Sequence, residues 1–221
     1  MPKRSNASVG RSMDPSAEPR PGGRGAPLPR SFYTREDVVL IARELLGKLL
    51  VTQIGGIMTG GLITETEAYA GADDRASHAF AGRRTPRNEP MYAQGGTTYV
   101  YLCYGIHHLF NVVTHARDVP HAVLIRAVHP TIGLAHIASR RAPAAPTTHG
   151  PGTLTTALGI RTHHTGLDLL GGPIGIEDIG MRPTGNDLLI GPRIGVDYAG
   201  ADAQRPYRFR IAPSRLPMIL R

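Results

Sequence analysis

The sequence predicts an α+β domain built on a mostly antiparallel sheet, and three observations lead there. Short β-branched and aromatic segments recur along the chain, closed off by Gly, Pro, Asn and Asp, with few helical stripes between them. The 221 residues are enough for one sizeable core and few for two. Gly and Pro are frequent, at 27 and 19, and apolar residues make up 41%, the balance of a loop-rich globular chain.

The elements follow in order. Residues 1–30 are rich in Pro, Gly, Ser and Arg without apolar periodicity, so they are expected to form a flexible basic tail. Their Arg and Ser richness with few acids also fits a mitochondrial transit peptide. The folded domain is expected over residues 31–221. Thr34 followed by Asp37 resembles a capping box, and Val38, Ile41, Ala42 and Leu45 form a helical stripe that Gly47 ends. Leu49–Ile54, Gly55–Gly56 and Ile57 onward read as a hairpin, and Gly60–Gly61 as a bulge before a strand Leu62–Tyr69. Further strands are expected at Thr98–Cys103, Phe110–Thr114, Ala122–Val128, Ile174–Glu177, Ile190–Val196 and Tyr207–Ile211. Helices are expected at Thr131–Arg141 and Leu154–Leu158. No internal repeat is visible.

Composition narrows the chemistry. The only cysteine, Cys103, excludes an intrachain disulfide and a CxxC zinc site. No apolar run is long enough for a membrane span and no secretory signal is recognisable, so a soluble intracellular protein is expected. The formal charge is +8, about half of it in the first 30 residues, and a basic surface favours a polyanionic partner. Only Lys3 and Lys48 are lysines, so a mechanism that needs a reactive amine has almost nowhere to put it.

The chemistry-bearing residues concentrate between Glu65 and Arg126. In ITETEAY a period of two places Ile63, Glu65, Glu67 and Tyr69 on one face. Alone, that face fits a solvated edge as well as a cleft in which a partly buried Glu serves as general base. In TTYVYLCYG, Tyr99, Tyr101 and Cys103 take one side and Val100, Leu102 and Tyr104 the other, with Tyr104 at a turn beside Gly105. Four of the eight tyrosines fall between Tyr92 and Tyr104, in a chain without tryptophan. Arg126 lies in HAVLIRAV, a segment expected to be buried, where a guanidinium needs a carboxylate, and Glu65 or Glu67 is the obvious partner. The loop GRRTPRN, with Arg84, Thr85 and Arg87, suits contacts to a phosphate backbone as well as simple solvation. HExxH and the H-x-E with PCxxC pattern are absent, and the adjacent pairs His107–His108 and His163–His164 would point apart on a strand, so no metal site is expected. GPGTLTTALG lacks a preceding strand and a GK[ST], and reads as a helix N-terminus able to receive a phosphate.

Together ETEAY at 65–69, SHAFAGRRTPRN at 77–88, MYAQGGTTYVYLCYGIHHLFNVV at 91–113, AVLIRAVHP at 122–130 and GPGTLTTALGI at 150–160 closely resemble the alkyladenine (3-methyladenine) DNA glycosylase family. The resemblance runs from about Ser31 to the C-terminus. It implies a single domain with a curved antiparallel sheet, hydrolytic removal of alkylated or deaminated purines without strand nicking, and neither metal nor cofactor. By motif position Glu67 falls on the water-activating base and Arg126 on the arginine beside that water. Tyr69, His78 and Tyr101 fall where residues surround the extruded base, Tyr104 on the side chain that wedges into the duplex, and Asn111 on the residue that helps reject unmodified guanine. Thr153 stands where the family's GP-x-K-L pattern usually has lysine, and Ile106 and His107 where Met and an aromatic or histidine are common.

The implied partner is double-stranded DNA carrying a damaged purine, met by a monomer with no membrane contact. The place would be the cytoplasm, near the nucleoid, in a bacterium, or the nucleus in a eukaryote. A lesion-binding module without activity would have no use for Glu67 and Arg126. A sugar hydrolase using Glu65 and Glu67 would have none for the arginine loop and Tyr104.

Overall fold

Turn chemistry and alternating burial set out the elements of the chain, seen in a computed structural model that describes residues 25–145 and 147–219. They run β1 (Ala26–Pro27), α1 (Arg30–Tyr33), α2 (Val38–Glu44), β2 (Leu49–Ile54), β3 (Ile57–Tyr69), β4 (Thr98–Cys103), β5 (His107–Thr114), β6 (His121–Ile132), α3 (Leu134–Arg141), α4 (Pro151–Leu158), β7 (Ile174–Asp178), β8 (Leu188–Gly191), β9 (Arg208–Ile211) and α5 (Leu216–Ile219). The antiparallel sheet has the order β1-β7-β2-β3-β6-β5-β4. Along β3, β6 takes one edge, while the other is shared by β2 over Ile57–Leu62 and β9 over Glu65–Glu67, so the sheet forks there. β8 continues the branch beyond β9.

Most expected elements occur at or near their places, and the differences have local causes. Asp37 itself caps α2, accepting from the amides of Val39 and Leu40 at 2.9 Å each, so Thr34 is not the cap residue. The helix expected at Thr131–Arg141 starts only at Leu134, because β6 runs on to pair Ile132 with Gly60 and Gly133 then turns the chain at φ +67. The strand expected at Ile190–Val196 ends at Gly191, since Arg193 and Ile194 turn inward to partners described below. Residues 25–30, expected in the tail, belong to the fold. Ala26 and Pro27 pair with Asp178 and Glu177, Leu28 is buried, and Arg30 donates to Asp168 at 2.6 Å. The rest of the expected tail lies outside the described residues.

Strand parity divides the sheet chemically. One face, with Leu50, Ile63, Val100, Phe110, Val112, Val123 and Ile125, packs against α2, the residue after it and α4 through Ile41, Leu45, Leu154 and Leu158 to make the main core. Two smaller clusters sit elsewhere: Ala79, Met91, Tyr92, Tyr99, Val113 and Ala122, with Tyr101 against them, and Ala76, Val196, Ala199 and Ala203, with Tyr69 against them. The space between these clusters is the candidate site.

Candidate active site

Two compensating irregularities between β3 and β6 shape the centre of the site. The pairing Ile63 with Val128 gives way to Glu65 with Ala127, which leaves Thr64 extra, and then to Thr66 with Ile125, which leaves Arg126 extra. Register is thereby restored, while Arg126 is released from the ladder and its guanidinium reaches across β3. Its Nε donates to Glu65 Oε1 at 2.9 Å and a terminal nitrogen donates to Glu67 Oε2 at 3.3 Å. The expectation that Arg126 pairs with one glutamate thus resolves into both. A buried and a half-buried carboxylate on one guanidinium would leave net negative charge, and Arg208 on β9 supplies the second cation, donating to Glu65 Oε1 at 2.7 Å. Ile63, expected beside the glutamates, lies instead in the main core.

Glu67 is fully buried and lies just behind the cavity wall. Its Oε2 also accepts from the Tyr69 hydroxyl at 2.9 Å, and its Oε1 accepts from the Ile194 amide at 2.8 Å. A carboxylate has about four acceptor positions, so these three bonds leave one of them open. Burial pushes the Glu67 carboxyl up, while Arg126, the Ile194 amide and the Tyr69 hydroxyl, in that order, hold it down. The Tyr69 phenol is driven well above its ordinary range, first by burial and then by the charge of Glu67, so it stays a donor.

The cavity, about 720 Å³, lies within the roughly 300–1,000 Å³ range of small-molecule sites. Tyr69, His78, Tyr101, Asn111 and Arg126 all line it, and Tyr104 stands at its mouth. His78 packs edge-on to Tyr101 with ring centroids 4.6 Å apart, and its Nδ1 is 2.9 Å from the Tyr99 hydroxyl. Burial raises the Tyr99 phenol to about 12, so it is a proton donor at neutral pH. Burial, then the charges of Arg87 and Arg83, lower the His78 pKa, which favours the neutral ring. Donation from Tyr99 to Nδ1 leaves Nε2–H as the ring's own donor. Asn111 spends its Nδ2 on the carbonyls of Tyr99 and Leu109. Its side-chain oxygen is thereby left as an acceptor. Tyr104 has φ +50 and is 89% exposed, a backbone cost that serves projection rather than packing.

The arginine loop divides its side chains between bracing and exposure. Arg84 gives its donors to Glu89 at 2.6 and 2.8 Å and to Asp118 at 2.8 Å, and it stacks on Tyr92, so it braces the loop. Thr85 directs both amide and hydroxyl to Asn88 Oδ1 and closes the turn. Arg87 does face outward, in a recess of about 380 Å³ that Arg75 and Arg83 also line. Neither Arg75 nor Arg83 forms an ion pair with a described residue. The N-terminus of α4 reaches the cavity through Gly150–Thr153, with the Thr153 hydroxyl turned back to the carbonyls of His149 and Gly150.

Sequence reasoning missed the segment after β8. The Arg193 guanidinium is buried against the Asp74 carboxylate, with a second bond of 2.8 Å, and lies 4.8 Å from the centroid of Tyr69. This anchor presents the Ile194 amide to Glu67. Arg208 had one sequence signal, since paired carboxylates on a strand face require more than one cation; Arg193 had none. No group of His, Cys, Asp or Glu among the described residues could hold a metal, and no described helix is long and apolar enough to cross a membrane.

A family model described as methylpurine-DNA glycosylase matches residues 31–215. The chain belongs to that family. It is therefore a DNA glycosylase, a hydrolase of DNA repair. Relatives whose names provisionally assign them as 3-methyladenine DNA glycosylases agree. One from Chlamydia felis is 46% identical over 82% of this chain and 94% of its own length. One from Anaeromyxobacter dehalogenans is 47% identical over 85% and 83%, and one from Bacillus licheniformis 45% over 86% and 95%.

Proposed function

We propose that this glycosylase excises alkylated and deaminated purines, of the 3-methyladenine, 7-methylguanine and hypoxanthine class, from duplex DNA as a monomer, leaving an abasic site. The observation that carries this reading is the buried Glu67 and Arg126 network set directly behind a cavity walled by Tyr69, His78 and Tyr101.

Tyr104 enters the duplex and fills the gap left by the extruded nucleotide, whose unstacking costs a few kcal/mol and least for a damaged pair. The base rests between Tyr69 and Tyr101. A cationic alkylated purine gains about 0.5–2 kcal/mol from such rings, and the His78 Nε2–H can donate to a neutral purine. Asn111 meets the base edge and disfavours unmodified guanine. A water held between Arg126 and Glu67 attacks the anomeric carbon; Glu67 accepts its proton and its charge stabilises the oxocarbenium-like sugar. Alkylated bases leave without help, whereas hypoxanthine must be protonated as it leaves. Water as nucleophile fits a chain with two lysines and implies no strand nicking. Arg75, Arg83 and Arg87 hold the phosphate backbone, in place of the expected Arg84 and Thr85.

The test is incubation of the purified protein with duplexes bearing one hypoxanthine or one 7-methylguanine, scoring free base and alkali-labile sites. Release from at least one is expected; release from neither overturns the reading.

A further inference from the structure

The 3-10 helix Asp197–Gln204 displays an aromatic that the chemistry above leaves unused. Tyr198 is 71% exposed, yet its hydroxyl donates to the Ala76 carbonyl at 3.1 Å. Its tip is therefore fixed while its ring remains open to solvent. Tyr198 lines both the base cavity and the arginine recess, as do His78 and Arg87, so these three form the partition between the two spaces. On one side the walls suit a flat base. On the other, Arg75, Arg83 and Arg87 suit a phosphate. Successive nucleotides of one strand present that alternation, and a strand whose base enters the cavity has to cross the partition.

We propose that Tyr198 is a second aromatic contact to DNA, whose ring packs on the nucleotide flanking the extruded one while the arginine recess receives the adjoining phosphate. The proposal rests on the base-excising reading and adds to it a contact outside the base cavity. A tyrosine suits the role because it offers a large rigid face with only two side-chain torsions to freeze. The bond to Ala76 freezes them before DNA arrives, which lowers the ordering cost of binding. Its neighbourhood is also right, since the exposed Tyr104 lines the same cavity as Tyr198. Tyr104 enters the helix from a left-handed turn, whereas Tyr198, tied at its tip, can only offer a face.

The test compares wild type with Tyr198→Phe, Tyr198→Leu and Tyr198→Ala, by fluorescence anisotropy on a duplex with a stable abasic analogue and by single-turnover excision of hypoxanthine. The Ala and Leu variants should bind roughly ten-fold more weakly, the loss of one stacking contact. Their excision at sub-saturating protein should fall along with affinity, and the Phe variant should bind within about two-fold of wild type. A role confined to the Ala76 bond predicts instead that Phe falls as far as Ala. That result, or wild-type affinity in the Ala variant, overturns the proposal. If wild type binds but releases no base, the excision reading fails while the affinity series still decides the contact.

Discussion

As the proposed base, Glu67 must be ionised to take a proton from water, and its surroundings pull in both directions: burial raises the carboxyl, and Arg126, Ile194 and Tyr69 lower it, with burial the larger effect. With its pKa above the ordinary carboxylate value, the base is lost as pH falls through that raised value and present above it. On 7-methylguanine, whose departure needs no added proton, the acid limb of kcat/KM therefore reports Glu67. Arg126→Gln removes the largest lowering influence, so the limb should move to higher pH; an unmoved limb would assign the titration to another group. Glu67→Gln keeps the side chain's shape and should preserve lesion binding while excision falls by roughly 10²–10⁴. Excision at the wild-type rate would show that Glu67 is not the base. The pairing of Arg126 with the glutamates was readable from ITETEAY and HAVLIRAV, because an arginine among apolar neighbours requires carboxylates. The choice of Glu67 over Glu65 was not readable from parity, which puts both on one face. Their different partners separate them: Glu65 is held by two arginines, Glu67 by one arginine, a phenol and an amide.

At the scale of elements, local signals succeeded where a turn or a period is written in adjacent residues. Gly55–Gly56 closes the hairpin, the register shift at Gly60–Gly61 is in place, and the parity of β4, β5 and β6 separates core from cavity. They failed after β8, where Ile194 and Val196 continue the alternation of Ile190 and imitate a longer strand. There the path is set by the pair of Arg193 with Asp74, 119 residues apart, and no local pattern encodes such a pair. Both side chains are fully buried, so Arg193→Ala strands a charge and should cost about 3–5 kcal/mol. For a chain of this length that is a fall of roughly 6–20 °C in Tm. Joining Arg193→Met to Asp74→Asn should recover much of the loss, because the stranded charge goes too. Thermal melting of the single and double variants decides this; equal melting in both would mean that the pair is not what holds the segment.

Across the whole molecule, charge is distributed by the order of the sheet. β4, with the cavity mouth and the recess beyond it, lies at one end of the strand order, and β7 near the other, with β2, β3, β6 and β5 between them. Among the described residues Arg75, Arg83 and Arg87 of the recess form no direct ion pair, and only Arg75 feels a carboxylate, that of Asp202, at longer range, whereas Arg182, beside β7, is bound to Asp178 at 2.5 and 2.7 Å. Net charge alone treats these groups alike, which is why +8 pointed to a polyanion without locating it. Counterion release distinguishes them, since log K falls with log salt by about 0.9 for each phosphate contact. Arg83→Ala should therefore flatten the salt dependence of duplex binding by about one unit of slope and weaken lesion-bearing and undamaged duplexes alike. Arg182→Ala, at the far end of the sheet, should leave the slope where it is. Equal effects from the two would mean that the duplex feels only the overall charge, and an unchanged slope in Arg83→Ala would remove the recess from the DNA path.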